Sequence, residues 1–243
     1  MRILAKKLEN LRPDIIACQE CFYSDEESAD TLKLLAGRLK MNYCFLPGRF
    51  KKRELGGKWV ESFSGLGVLS TYPVADVRQF NLPIAPGDDD LKVQQTEISL
   101  PYGEKILLTN THLTHLSNSG GARRTQAESL AGFVTGGKAY RYHVICGDFN
   151  AARRTVEIET FMELSGAIDC YTAGEGSEPR YSLAEAFKEG KRICVDHIFA
   201  LPIPGTGAYP EFINSGVVLN EPDGLTGLYP SDHYGISTTL VIN

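Results

Sequence analysis

Carboxylate, amide and imidazole side chains recur at the ends of apolar runs in this chain. They are Glu20, His112, Asp148 with Asn150, Asp196, and Asp232 with His233. The stretch His143-Val144-Ile145-Cys146-Gly147-Asp148-Phe149-Asn150 is the clearest case. It begins as a buried strand and runs out into a loop that presents two polar side chains. Gly147 lets the backbone turn where a β-carbon would be crowded. Asp148 can accept a proton or hold a cation, and the Asn150 amide can donate to a negatively charged oxygen. Carboxylate and amide oxygens suit a hard cation, magnesium or manganese; zinc would call for more histidine or cysteine. Asp232-His233 would supply a metal ligand and an imidazole. A carboxylate such as Asp196 on the other ring nitrogen would fix the tautomer and raise basicity. Each piece alone also reads as a turn or a strand-end charge.

These groups can share a cleft only if the elements between them bring strand ends to one edge. Leu4, Leu8 and Leu11 share a helical face that Pro13 stops. Ile15 to Glu20 reads as a strand, and Ser24-Asp25-Glu26-Glu27 as a capping box opening a helix from about Asp25 to Lys40. Tyr43 to Leu46, Gly65 to Ser70, and Val74 to Leu82 read as strands. A hairpin follows, from Gln95 to Leu100 and from Lys105 to Leu113. Arg123 to Val134 is a helix, and a shorter one surrounds Glu157 to Leu164. A polar loop runs from Thr172 to Arg180. Ile193 to Leu201 is a strand, Val217 to Leu219 lies between Pro and Gly clusters, and a last strand runs from about Gly235 to Val241. Short strands dominate, so the pattern is a two-sheet sandwich with helices outside rather than a regular βαβ alternation.

The 243 residues are 42% apolar and 23% charged, enough for one large domain over residues 1–243 with a sizeable core. A net charge of −5 argues against an extended basic face for duplex nucleic acid. It leaves nucleic acid open as a substrate, since a bound cation supplies local positive charge. The densest basic patch is a loop with Arg49, Lys51, Lys52, Arg53 and Lys58 around Gly56-Gly57 and Trp59. It reads either as a solvated hairpin or as a flap that meets a substrate phosphate or a lipid headgroup. Cys18 and Cys21 form a C-x-x-C, but no second pair completes a zinc pattern. The six cysteines read as reduced thiols of a cytoplasmic protein. Met1 to Leu4 leads straight into the amphipathic Lys6-Lys7-Leu8-Glu9, unlike a signal peptide, and no run reaches transmembrane length.

Five motifs, in order, carry a resemblance. They are Pro13-Asp14-Ile15-Ile16-Ala17-Cys18-Gln19-Glu20, Asn110-Thr111-His112-Leu113, Gly147-Asp148-Phe149-Asn150, Val195-Asp196-His197 and Ser231-Asp232-His233. The chain resembles the endonuclease/exonuclease/phosphatase superfamily across nearly its whole length. The resemblance implies an α+β fold, a four-layer α/β/β/α sandwich of two mixed, mostly antiparallel sheets flanked by helices. It implies that Glu20 binds a divalent metal with Asp232 near it, and that Asp148 orients or deprotonates the attacking water. Asn150 would contact the phosphate oxygen, His112 the phosphate or leaving group, and Asp196 would pair with His233. The expected activity is hydrolysis of a phosphodiester in nucleic acid or a phospholipid headgroup, with Mg2+ or Mn2+ and with no obligate protein partner. Arg49, Lys51, Lys52 and Arg53 would meet the substrate. A phosphomonoesterase on inositol phosphates and a non-catalytic binding module are the alternatives. Members usually open with a strand ending on an asparagine that completes the metal site. Here a helix begins almost at Met1, so one sheet is expected to lack a central strand and the site one oxygen ligand.

Overall fold

The computed structural model describes residues 2–25, 29–89, 91–116, 119–183, 185 and 191–242. The chain opens with α1 (Arg2–Leu11), β1 (Ile15–Ser24), β2 (Ala29–Asp30), α2 (Thr31–Leu39), β3 (Asn42–Leu55) and β4 (Lys58–Ser70). Next come β5 (Val74–Asn81), β6 (Lys92–Ser99), β7 (Lys105–His112), α3 (Gly120–Thr135) and β8 (Tyr142–Asp148). The remainder is α4 (Val156–Ser165), β9 (Ile168–Asp169), α5 (Cys170–Ala173), β10 (Asp196–Ala200), β11 (Phe212–Val218) and β12 (Gly235–Leu240).

The strands form a four-stranded sheet in the order β2-β1-β4-β3, a six-stranded sheet in the order β5-β6-β7-β8-β10-β9, and a ribbon of β11 and β12. Every pairing is antiparallel except β7 with β8, where α3 supplies the crossover a parallel pair needs. Three cores separate four layers. Ala5, Leu8, Leu32 and Leu35 pack α1 and α2 on the outside of the first sheet, with Cys21 and Leu69. Val68, Ile106, Leu108, Val144, Cys146 and Phe212 fill the space between sheets. Leu130, Ala131 and Val134 of α3, with Ile158 and Phe161 of α4, cover the outside of the second sheet against Ile145 and Phe199. This is the expected α/β/β/α sandwich. β8 packs into a core on both faces, and all seven of its residues are buried. That is why it reads as a continuous apolar run rather than an alternating one. Among the described residues, Ile15 to Cys18 pair only with β4, and β12 pairs only with β11. None of the described helices is long and apolar enough to cross a membrane.

Two local expectations are corrected. The helix expected from Asp25 begins at Thr31. Ser24 does not cap it, because its hydroxyl donates to the Glu61 carbonyl of β4 at 2.6 Å and extends the strand. Asp30 caps it instead, accepting from the Lys33 amide at 2.8 Å. Glu26 and Glu27 lie outside the described residues. The basic loop is not a loop: β3 and β4 stay paired to Leu55↔Lys58, and Gly56 and Gly57 make the turn with φ of 57° and 84°.

Gly147 is the tightest point of the frame. Its φ is 152°, and a β-carbon there would sit 2.0 Å from the Thr111 carbonyl oxygen of β7. Gly147→Ala is therefore expected to destabilise the protein by more than about 2 kcal/mol in urea unfolding, since both strands must part to admit a methyl group. A loss below about 0.5 kcal/mol would show that the β7–β8 contact is loose.

Candidate functional site

Strand register assembles the site. Parallel pairing sets His112 of β7 beside Asp148 of β8. Antiparallel pairing sets Asp196 of β10 opposite Asp148 on its other side. The three residues thus form one row across neighbouring strand ends. His233, from the loop before β12, reaches the row through its Nδ1, which donates to Asp196 Oδ2 at 2.8 Å. One ligand atom each from Asp148, Asp196 and His233 lies within 4.8 Å of the others. Glu20 comes from the opposite sheet and lines the same small cleft as His112 and Arg49.

Burial sets the protonation pattern. Asp148 is 7% exposed. Desolvation, then the Asp196 carboxylate, push its pKa up to about 8 against the opposing pull of His233 and the Asn150 amide, while Glu20 adds to the rise. Desolvation lowers His112 to about 4, which leaves it neutral near pH 7. The 3.6 Å approach of His112 Nε2 to Asp148 Oδ2 is thus no ion pair. Burial also opposes a charge on His233. There the hydrogen bond to Asp196 and its charge, with Asp148 and Asp232 behind, prevail and raise the pKa to about 9. Near neutral pH, with no cation bound, the site holds a charged His233, a neutral His112 and an Asp148 that keeps its proton beside Asp196. Such a set of oxygens fits a hard divalent cation, which would relieve the repulsion that pushes Asp148 up.

Glu20 is held by a clamp that spans the sheets. β1 shifts register between Cys18 and Cys21 as it pairs with β4, and Glu20 within this bulge has a φ of 53°. Asn110 of β7 is fully buried. Its Nδ2 donates to the carbonyls of Cys18 at 3.0 Å and Gly67 at 3.1 Å, while its Oδ1 accepts from Gln19 Nε2 at 2.7 Å. All three bonds lie where the bulge begins. Asn110 stood in the sequence beside His112 without an assigned role. The signal was its place in Thr109-Asn110-Thr111, a polar run that directly follows the apolar Ile106-Leu107-Leu108 within one strand.

The other expected residues fall as follows. Asn150 has a φ of 49°; its amide nitrogen donates to Leu113 O at 2.9 Å, which fixes the side chain beside Asp148. Its backbone N–H donates to Asp148 Oδ1 at 2.8 Å. Asp232 is exposed and is not one of the three grouped ligands; it accepts from the Ser231 hydroxyl at 3.3 Å. Arg49 is buried, its Nη2 2.8 Å from Asp88 Oδ1 without hydrogen-bond alignment, while Asp88 also accepts from Thr114 Oγ1. Lys52 is exposed, whereas Lys51 and Arg53 are half-buried. His197, next to Asp196, is structural. Its Nε2 must donate to the Ala151 carbonyl, 2.8 Å away, and its ring packs on Phe149 and Phe199. All six cysteines are free thiols.

A family model described as "Endonuclease/Exonuclease/phosphatase family" matches residues 1–233. Among solved structures, a family protein from Bacteroides thetaiotaomicron is 18% identical, with a TM-score of 0.72, over 99% of this chain and 85% of that one. A mannosyl-6-phosphatase of the same organism is 18% identical, TM-score 0.70, over 99% and 90%. Truncated TDP2 of Caenorhabditis elegans is 16% identical, TM-score 0.68, over 99% and 89%. No curated protein matches the chain.

Two outcomes follow from the geometry. Asn110→Leu leaves the carbonyls of Cys18 and Gly67 without their donor, and is expected to cost about 1–3 kcal/mol per unpaired group in chemical unfolding. A change within about 0.5 kcal/mol would mean the clamp bears no strain. The second outcome concerns pH, with a chelator present. Folded His233 keeps its proton to about pH 9, against an ordinary value of 6.5. Its contribution to stability is full below pH 6.5 and is lost as pH rises through 9. Asp148, raised from 3.8 to about 8, adds a fall of the same sign at lower pH. His233→Gln should therefore flatten the decline of unfolding free energy between pH 6.5 and 9 and reduce the total fall by on the order of 2 kcal/mol. An unchanged profile would place the titration elsewhere.

Proposed function

Because the chain belongs to the endonuclease/exonuclease/phosphatase family, we propose that it hydrolyses phosphodiesters, using water and a divalent cation, magnesium or manganese. The observation that supports this most directly is the row of His112, Asp148 and Asp196, with His233 bonded to Asp196 and Glu20 facing it from the other sheet. Glu20, Asp148 and Asp196 are the carboxylates that would hold the cation, which would neutralise charge on phosphate oxygens and promote ionisation of water.

The protein's own groups divide the rest of the work. Asp148, relieved of neighbouring negative charge, becomes the acceptor for a proton of the attacking water and fixes its direction. Its position is set by the Asn150 backbone amide, and the free hydrogen of the Asn150 side chain faces a phosphate oxygen. His112, neutral through burial, donates a hydrogen bond to the same group without adding charge. His233 carries a proton at neutral pH, and Asp196 accepts from its Nδ1, so the other ring nitrogen is the one that can donate to an oxygen gaining charge. Asp232 is exposed beside His233 and adds negative charge near it.

A second reading is phosphomonoester hydrolysis. It is favoured by buried Arg49, which lines the cleft beside Glu20 and His112 and could hold a terminal phosphate. Assays on a nitrophenyl phosphodiester, plasmid DNA, sphingomyelin and inositol phosphates, each with magnesium and with chelator, separate the two. Diester turnover that chelation abolishes is the expected result. Asp148→Ala and His233→Ala should each lower turnover at least about a thousandfold while circular dichroism remains native. Near-normal turnover by either variant would remove that residue from the mechanism, and an unchanged magnesium titration in Glu20→Gln would remove Glu20 from the metal site.

A further inference from the structure

Asp196 and His233 belong to segments that share no ladder. β10 pairs with β8 and β9, and among the described residues β12 pairs only with β11. One side-chain bond, His233 Nδ1 to Asp196 Oδ2 at 2.8 Å, joins residues 37 positions apart. Such a bond is precise only where the two backbones are themselves held. Ser182 touches both segments and is fully buried. Its Oγ accepts from the backbone N–H of Val195 at 2.9 Å and of Asp196 at 3.2 Å. Its carbonyl oxygen accepts from the backbone N–H of Tyr234, the residue after His233, at 2.8 Å. Ser182 is anchored in turn. Its own N–H donates to the Ile193 carbonyl at 3.0 Å, and Leu183 bridges to Ile193 beside it. Two residues upstream, the Arg180 guanidinium forks onto Asp169, with Nη1 to Oδ1 at 3.2 Å and Nη2 to Oδ2 at 2.6 Å. Both of these residues are buried, and Asp169 stands opposite Phe199 of β10. The segment that carries Ser182 is thus tied to β10 near both ends of that strand.

We infer that Ser182 is a positioning residue for the Asp196–His233 pair: its two oxygens hold the backbones of Asp196 and Tyr234 at the separation at which Nδ1 meets Oδ2. A hydroxyl oxygen has two lone pairs, one for each N–H at the start of β10. These bonds are made away from water, where a donor without its acceptor finds no substitute, so the junction is stiff. Ser182 acts through the pair and not on a substrate. Its effect on turnover, through the direction in which His233 offers its other ring nitrogen, rests on the hydrolase reading; its effect on the pair does not. In Ser182→Ala the carbonyl bond to Tyr234 remains, while the N–H groups of Val195 and Asp196 lose their acceptor. The ladder with β8 still sets Asp196 against Asp148. The distance from Asp196 to His233 loses its fixed reference.

Two measurements on the full chain test this. The first needs no turnover. With histidine labelled by nitrogen-15 and a chelator present, long-range proton–nitrogen spectra at neutral pH report the Nδ1 resonance of His233, assigned by its loss in His233→Gln. In Ser182→Ala that resonance should move toward the Nε2 resonance of the same ring, as the bond to Asp196 slackens. The second is turnover of the nitrophenyl phosphodiester with magnesium. Ser182→Ala should lower kcat by about a hundredfold and leave KM within about threefold, since the misplaced group acts on charge that develops in the transition state. Ser182→Cys is close to serine in size and has a weaker acceptor, so it should move both readouts the same way by less; it carries the test if Ser182→Ala does not fold. Ser165→Ala removes another buried serine hydroxyl, at the end of α4, and should move neither. An unmoved Nδ1 resonance in both Ser182 variants, an equal loss of kcat in Ser165→Ala, or a rise in KM with kcat intact would each overturn the inference. The two proposals fail separately. No turnover by the unmodified chain sinks the hydrolase, and the resonance then decides the role of Ser182 alone. Turnover with an unmoved resonance sinks only that role.

Discussion

Asp148 and Asp196 face each other across one step of a ladder, and Asp148 is nearly cut off from water. Two like charges in such a place repel, and the rest of the site is arranged around that repulsion. His233 answers it on one side by keeping its proton and accepting the partnership of Asp196. A backbone amide answers it on the other, from Asn150 to Asp148. What remains unbalanced keeps Asp148 protonated to about pH 8, a state suited to a site that a divalent cation completes. The same burial keeps His112 neutral, so two histidines a short distance apart hold different charges at one pH.

The scaffold supplies this arrangement from parts that belong to different sheets. The row of His112, Asp148 and Asp196 comes from three adjacent strands of one sheet, so its spacing is the spacing of a β-ladder and is stiff. Glu20 belongs to the other sheet, where a bulge turns it out. Asn110 crosses between them, bonded to the backbone of β1 and β4 at the pair where that bulge begins. The two halves of the site are thereby held in one frame by hydrogen bonds made away from water, where an unmade bond is costly. Gly147 has a related part: the absence of a side chain allows β7 and β8 to approach closely enough for His112 to lie beside Asp148.

The β3–β4 hairpin shows how a pleat changes the meaning of a basic patch. In the chain, Arg49, Lys51, Lys52 and Arg53 are one cluster. In the fold, alternation sends Lys52 to the face with Glu54 and Glu61, and it lies 3.8 Å from Glu61. The remaining cations share the face whose inner end enters the cleft. Charge that looks uniform in one dimension is divided in three.

The sequence by itself determined the layers and the motifs. Buried strands read as apolar runs because both faces of β8 meet a core, and each polar group at a strand end stood out against that background. The order of motifs carried the family, and with it the sandwich. The sequence did not determine where a strand ends when the next residue finds a partner far away. Ser24 looked like a helix cap until Glu61, 37 positions on, took its hydroxyl. Nor did it show that Asp232 stays exposed while Asp196 and His233 close on Asp148, or that Asn110 holds the bulge. Those outcomes depend on register and on contacts between residues distant in the chain. Local propensity carries no information about them, because the energy that decides them is released only when the two sheets meet.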